Sequence, residues 1–173
     1  MHLFTLATAA FLLATCTLAL PASPSSALQF PDVLPTQPAY GAPRTDPSIK
    51  TIRVTDAAIP GSPISQAVIS GNHIYISGFL PLAPHTGALI GEGDVVAQTL
   101  AILNNINIII EATGSHLGKV VKVTLYLKNV EDYGVVNEVY ATFFGTHRPA
   151  RSAVAVADIP LGVLVQIDAI VRI

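Results

Sequence analysis

Cysteine is nearly missing from this chain. It has one in 173 residues, Cys16, and no tryptophan. Cys16 lies in an uncharged apolar block, LFTLATAAFLLATCTLAL, at residues 3–20. If that block is removed, no thiol remains. A disulfide framework, a thiolate zinc site and a cysteine nucleophile are then excluded. Charge is scarce as well: Asp, Glu, Lys and Arg make up 12% of residues, the net charge is −2 and the mean hydropathy is +0.57. The nine Lys and Arg are scattered, and Lys119, Lys122 and Lys128 are the densest group. A nucleic-acid binder usually clusters its basic residues, so no nucleic-acid partner is expected. The five histidines show no HxxxH or HExxH spacing, so no metal site is expected. The stretch GALIGEG matches neither a phosphate loop nor a dinucleotide fingerprint, and Gly-x-Ser-x-Gly does not occur.

What is present is uneven. Residues 1–20 read as a secretory signal peptide, with Thr17-Leu18-Ala19 or Ser25-Ser26-Ala27 as the cleavage site. This predicts a secretory or extracellular protein with no stable membrane span after cleavage. An uncleaved anchor, or an intracellular location, is the alternative. The first 43 residues contain no arginine, which a mitochondrial presequence would need, and no N-x-[S/T] sequon occurs. Seven of the 13 prolines fall between Pro21 and Pro47. Such a stretch buries too little apolar surface to offset its ordering entropy, so residues 21–50 read as a linker or arm. Residues 51–173 are enough for one domain with a sizeable core.

Within that domain the periodicity is legible. Thr51–Thr55 is a short β-rich run. Gln66–Ser70 and His73–Ser77 flank Gly71-Asn72, a hairpin signal. Asp94 is a good N-cap, and Val96, Leu100, Leu103, Asn107 and Ile110 follow at helical spacing, with Gly114 at the C-terminal end. Ile102, Ile106 and Ile109 widen the apolar stripe, so the helix is expected to be buried on more than one side. Lys119–Lys128 alternates: Val121, Val123, Leu125 and Leu127 are predicted on one face, and Val120, Lys122, Thr124, Tyr126 and Lys128 on the other. A second helix is predicted from about Val130 to Phe144, then strands at Ser152–Ala157 and Val163–Ile173. Two helices cannot cover both faces of about six strands, so both are expected on one face. An apolar face left open is usually buried by association, which suggests a homo-oligomer.

Four polar residues lie where chemistry could sit. Arg151, in HRPARSAV directly before an apolar strand, could grip a carboxylate bidentately. Asp168 lies in VLVQIDAIVRI, on the strand face of Gln166 and Arg172. A carboxylate there needs a partner or a task, and a structural ion pair is the simpler one. His147 could act as a base, although a loop histidine is usually solvated. Asn137, on the second helix, reads more readily as a surface or packing amide.

The stretches SPISQAV, ISGNHIYISGFLPLAPHTG, VVAQTLAILNNINIIIEATGS, VVKVTLYLKNVEDYGVVNEVYATFFG, RPARSAV and VQIDAIV resemble, in order, the RidA/YjgF family of reactive intermediate deaminases. The resemblance covers about residues 51–173. It implies an α+β, chorismate-mutase-like fold: a mixed sheet of about six strands with two helices on one face. It also implies a homotrimer with sites between subunits, and hydrolysis of 2-imino or enamine acids to 2-oxo acids and ammonia, without metal or cofactor. The family arginine that binds the substrate carboxylate matches Arg151. Asn137 matches the asparagine of the second helix, and Ser77 and Gly78 match the loop lining the pocket. Three positions depart from the pattern: Ile64 stands for the usual tyrosine, Phe79 for a glutamine, and Asp168 for the glutamate that positions water. Aspartate is shorter by roughly 1.5 Å. Arg151 and Asp168 are therefore the expected catalytic pair, with Asn137, Ser77, Gly78, Phe79 and Ile64 around the substrate. The apolar Ile64 and Phe79 also suggest a larger apolar intermediate of a specialised biosynthetic pathway. A ligand-binding or holdase-like trimer is the non-catalytic alternative.

Overall fold

The computed structural model describes residues 46–173 apart from Ser62. The predicted signal peptide, Cys16 and most of the predicted arm lie outside the described residues. The strand expected at Thr51–Thr55 instead runs Ile49–Ile52.

Six strands form one sheet: β1 (Ile49–Ile52), β2 (Ala67–Ser70), β3 (His73–Phe79), β4 (Val120–Leu127), β5 (Ala150–Ala155) and β6 (Val165–Arg172). Their order is β1-β2-β3-β6-β4-β5. All pairs are antiparallel except β4 and β5, which are parallel and joined through α2 (Tyr133–Phe144). The β2–β3 hairpin turns at Gly71-Asn72, as its sequence predicts, with Gly71 at φ 56°. A positive φ is open to glycine because it has no Cβ.

Helix α1 (Val95–Ala112) starts on Asp94, whose carboxylate accepts from the N–H groups of Val96 and Ala97 at 2.9 and 3.1 Å. Those donors would otherwise be orphaned. Its buried face keeps most of the predicted stripe but is rotated away from two of its positions. Val96 and Leu100 are exposed, while Val95, Gln98, Thr99, Ile102, Asn105, Ile106 and Ile109 face inward alongside Leu103 and Ile110. So many apolar residues surround this helix that spacing alone does not select the inner side. Its isoleucines share one hydrophobic core with Ile74, Ile76, Val123, Leu125, Ile167 and Ala169 of the sheet. Burying each large side chain contributes roughly 1.5–3 kcal/mol.

The alternation in β4 is also corrected. The register between β4 and β6 shifts between Val120 and Lys122. This bulge turns Val120 into the core and leaves Val121 46% exposed. A bulge inserts one residue and so reverses the faces on one side of it. The opposite face of the sheet carries Lys122, Thr124, Tyr126, Gln166 and Asp168, all half-buried, and among the described residues no helix packs on it.

Candidate active site

Arg151 is the second residue of β5 and stands opposite Val123 of β4, so its side chain shares the helix-bearing side of the sheet. Tyr133, Asn137 and Tyr140 meet it there. Their i, i+4, i+7 spacing puts all three on one side of α2. Arg151 Nη2 donates to Asn137 Oδ1 at 2.5 Å and to Tyr133 Oη at 3.2 Å. The guanidinium carbon lies 4.6 Å from the Tyr140 ring centre and 5.6 Å from that of Tyr133. The Asn137 amide, and after it the Arg151 charge, hold the Tyr133 phenol below its ordinary pKa. Burial pushes Tyr140 upward, partly opposed by Arg151 and Arg148. The ion pairs among the described residues, His85 with Asp56 and Lys128 with Asp158, include neither Arg151 nor Asp168. Arg151 is thus an oriented cation without an acidic partner, a suitable seat for a carboxylate.

Asp168 lies elsewhere, in the middle of β6 on the helix-free side, opposite Thr124. Among the described residues the structural ion pair that its sequence suggests is not formed. Its partner is the Tyr126 phenol, which donates to Oδ2 at 3.0 Å. That hydrogen bond, together with burial and the carboxylate charge, raises the Tyr126 pKa.

The remaining predicted residues gather at one end of β3. The Ser77 hydroxyl donates to the Ser65 carbonyl at 2.7 Å, and its N–H donates to the Gln66 carbonyl at 3.0 Å. A Cβ on Gly78 would lie 2.1 Å from Gln166 Nε2, so glycine here lets the Gln166 amide lie flat over β3. Both border a cavity of about 600 Å³ whose rim includes Ile64, 51% exposed, and Leu161, 67% exposed. Phe79 also borders it. Its side chain, 4% exposed, belongs to the hydrophobic core, because Phe79 pairs with the buried Ile167. Its predicted part in substrate contact is therefore confined to shaping the cavity from the core. His147 is tied to the Val120 carbonyl through Nε2 at 2.8 Å and contacts none of these residues by hydrogen bond.

One copy of the chain therefore does not assemble the predicted set. Arg151 and Asp168 are two strand steps apart, roughly 10 Å, and face opposite sides of the sheet. Three buried amides, which the sequence reading missed, shape the cavity end. Gln66 bonds both backbone groups of Val54 and the carbonyls of Ala57 and Ala58. Asn105 holds the Ala58 N–H and the Leu82 carbonyl. Gln98 holds the Gly91 carbonyl and the Leu164 N–H. Gln98 and Asn105 are seven residues apart in a very apolar helix. That spacing of two amides on one face was the available signal.

Comparison with known proteins gives one consistent relationship. A family described as Endoribonuclease L-PSP matches residues 55–173. A RutC family protein of Pyrococcus horikoshii is 45% identical over 70% of this chain and 95% of its own length. The 2-iminobutanoate/2-iminopropanoate deaminase of Escherichia coli is 40% identical over 70% of this chain and 95% of its own. The crystal structure of the YjgF gene product of Escherichia coli superposes with a TM-score of 0.67 at 40% identity, covering 71% of this chain and 98% of that one.

Proposed function

The chain belongs to the RidA/YjgF family, described as Endoribonuclease L-PSP, and from that premise we propose that it hydrolyses 2-imino and enamine acids to 2-oxo acids and ammonia. The observation that carries this reading is Arg151: a guanidinium fixed by Asn137 and Tyr133 over an aromatic ring, with no acidic partner among the described residues. The deaminase names of the Escherichia coli and mouse relatives support it.

In this reading Arg151 binds the substrate carboxylate. Water adds to the iminium carbon, forming the C–O bond, while the C=N π pair moves to nitrogen. Asp168 accepts the proton that the water loses. Asp168 then returns that proton to the carbinolamine nitrogen, the C–N bond breaks, and the hydroxyl proton leaves with the ammonia as the C=O forms. Imines already hydrolyse in water, so orientation and proton transfer are the protein's contribution, and no metal or cofactor is invoked.

Arg151 and Asp168 face opposite sides of one sheet, which supports completing the site between copies of the chain in a homotrimer. A nuclease role has less support: Lys128 is paired with Asp158, and Lys122 is bonded to Ser152. Export, proposed from the apolar block at residues 3–20, is tested by sequencing the N-terminus of the secreted protein.

The wild type, added to imines generated by an amino-acid oxidase, should release ammonia and 2-oxo acid faster than the spontaneous reaction. No acceleration with any imine, from the alanine to the phenylalanine derivative, refutes the reading. A second reading keeps the chemistry but enlarges the substrate to an apolar intermediate. The cavity favours it, because Ile64 and Leu161 line it and Gln166 is one of its few polar groups. A higher kcat/KM for leucine- and phenylalanine-derived imines than for the alanine-derived one is its expected signature.

A further inference from the structure

The Tyr126–Asp168 contact is the one side-chain hydrogen bond that joins β4 to β6 on the helix-free face among the described residues. Tyr126 stands opposite Gln166, not Asp168, so its phenol leans along the strand by one register pair to make it. That diagonal spans about 7–8 Å between Cα atoms, within the reach of an aromatic side chain. Among the described residues Asp168 forms no ion pair. The nearby Lys122 ammonium donates to Ser152 Oγ. The carboxylate's rotation is therefore set by the phenol.

We propose that Tyr126 is a positioning residue for Asp168 in imine hydrolysis, an inference that rests on the functional reading above. A tyrosine hydroxyl has one proton and two lone pairs. Tyr126 gives its proton to Oδ2, so its oxygen can only accept from any further partner, and Oδ1 remains the open carboxylate oxygen. The pair then presents two acceptors side by side, and a water has two protons to give. Held by Tyr126 Oη and Asp168 Oδ1, the water keeps a lone pair directed away from both, toward an electrophilic carbon. The phenol thus extends the reach of a short carboxylate and fixes which of its oxygens takes the proton. Gln166, opposite Tyr126 on the same face, borders the cavity beside Gly78, so the pair is one cross-strand neighbour away from the space assigned to substrate.

The test is Tyr126→Phe, which keeps the ring and removes the hydroxyl, compared with Asp168→Asn and the double variant. Loss of a hydrogen bond to a charged group predicts a fall in kcat of roughly ten- to a hundredfold, with KM little changed. In the Asp168→Asn background, Tyr126→Phe should have almost no further effect, because both residues act through one water. Tyr126→Phe combined with Asp168→Glu should recover part of the loss, the longer carboxylate replacing the phenol's reach. A Tyr126→Phe protein with wild-type kcat overturns the proposal, as do losses that simply multiply in the double variant. A matched fall in kcat and thermal stability, unrescued by Asp168→Glu, assigns Tyr126 a merely structural role and also overturns it. A wild type without turnover removes the functional reading and this role together, whereas an active wild type matched by Tyr126→Phe removes this role alone.

Discussion

Replacing Arg151 with alanine probes the functional reading most directly. The guanidinium can give a substrate carboxylate two charge-assisted hydrogen bonds. Each contributes about 1.5–3 kcal/mol when well placed, and the half-buried setting argues for the lower end, near 3 kcal/mol in total. That corresponds to roughly a hundredfold fall in kcat/KM. The cost to stability should be smaller. The stack on Tyr140 accounts for about 0.5–1 kcal/mol, and the bonds to Asn137 and Tyr133 are half-exposed. Activity should therefore collapse in a protein that still folds. Arg151→Lys separates charge from shape. It keeps the cation but cannot bond Asn137 while offering a carboxylate a planar fork, so a loss of about tenfold is expected. The assay is release of ammonia from 2-iminobutanoate generated in situ, above the spontaneous rate, with the affinity for 2-oxobutanoate measured in parallel. Hydrolysis by Arg151→Ala within twofold of wild type would show that the carboxylate is held elsewhere, and the assignment would fail.

Three further substitutions test the fold around the site. The Tyr140 hydroxyl is buried without a hydrogen-bond partner among the described residues, in a residue only 6% exposed, so Tyr140→Phe should leave stability unchanged or raise it by up to about 1 kcal/mol in urea titration. A clear loss would mean that the hydroxyl has a partner. Gln66→Leu removes four hydrogen bonds at once and strands the Val54 N–H. A cost of about 3 kcal/mol is expected, with faster amide exchange at Val54. Leu161 is a leucine at φ 64° that is largely exposed. Asparagine tolerates that conformation better, so Leu161→Asn should stabilise the fold by about 1 kcal/mol while weakening any preference for bulky imines.

The strand and helix order was readable because each element carries its own period. The hairpin at Gly71-Asn72, the Asp94 cap and the glycines after both helices act locally, so a single sequence displays them. The errors arise where a distant strand decides. The face of Val121 depends on how β4 pairs with β6, and the inner side of α1 depends on which residues the sheet presents. The same holds for the candidate site. Arg151 was legible from its place at the start of an apolar strand, which the structure begins one residue before it, and resemblance supplied Asn137, but spacing alone did not disclose Tyr133 and Tyr140. Asp168 was legible as a carboxylate in need of a partner. That the partner is Tyr126, and not a cation, follows from a cross-strand register that no local pattern encodes. Phe79 came from the resemblance as a pocket residue; it does border the cavity, while its pairing with Ile167 buries most of its side chain in the core.

The position of β6 has a consequence for how the domain is made. It is the last of the six strands along the chain, yet it lies between β3 and β4. Until it arrives, a chain emerging from the ribosome holds two separate pieces: the three-stranded β1-β2-β3 ribbon, and a β4-α2-β5 unit built from neighbouring segments. Each has an open strand edge and an incomplete core. The second piece is local enough to form early, whereas closing the sheet must wait for Val165–Arg172. Synthesis halted before that strand should yield a sticky, chaperone-dependent intermediate, and the same strand that commits the chain to its fold delivers Asp168 to it.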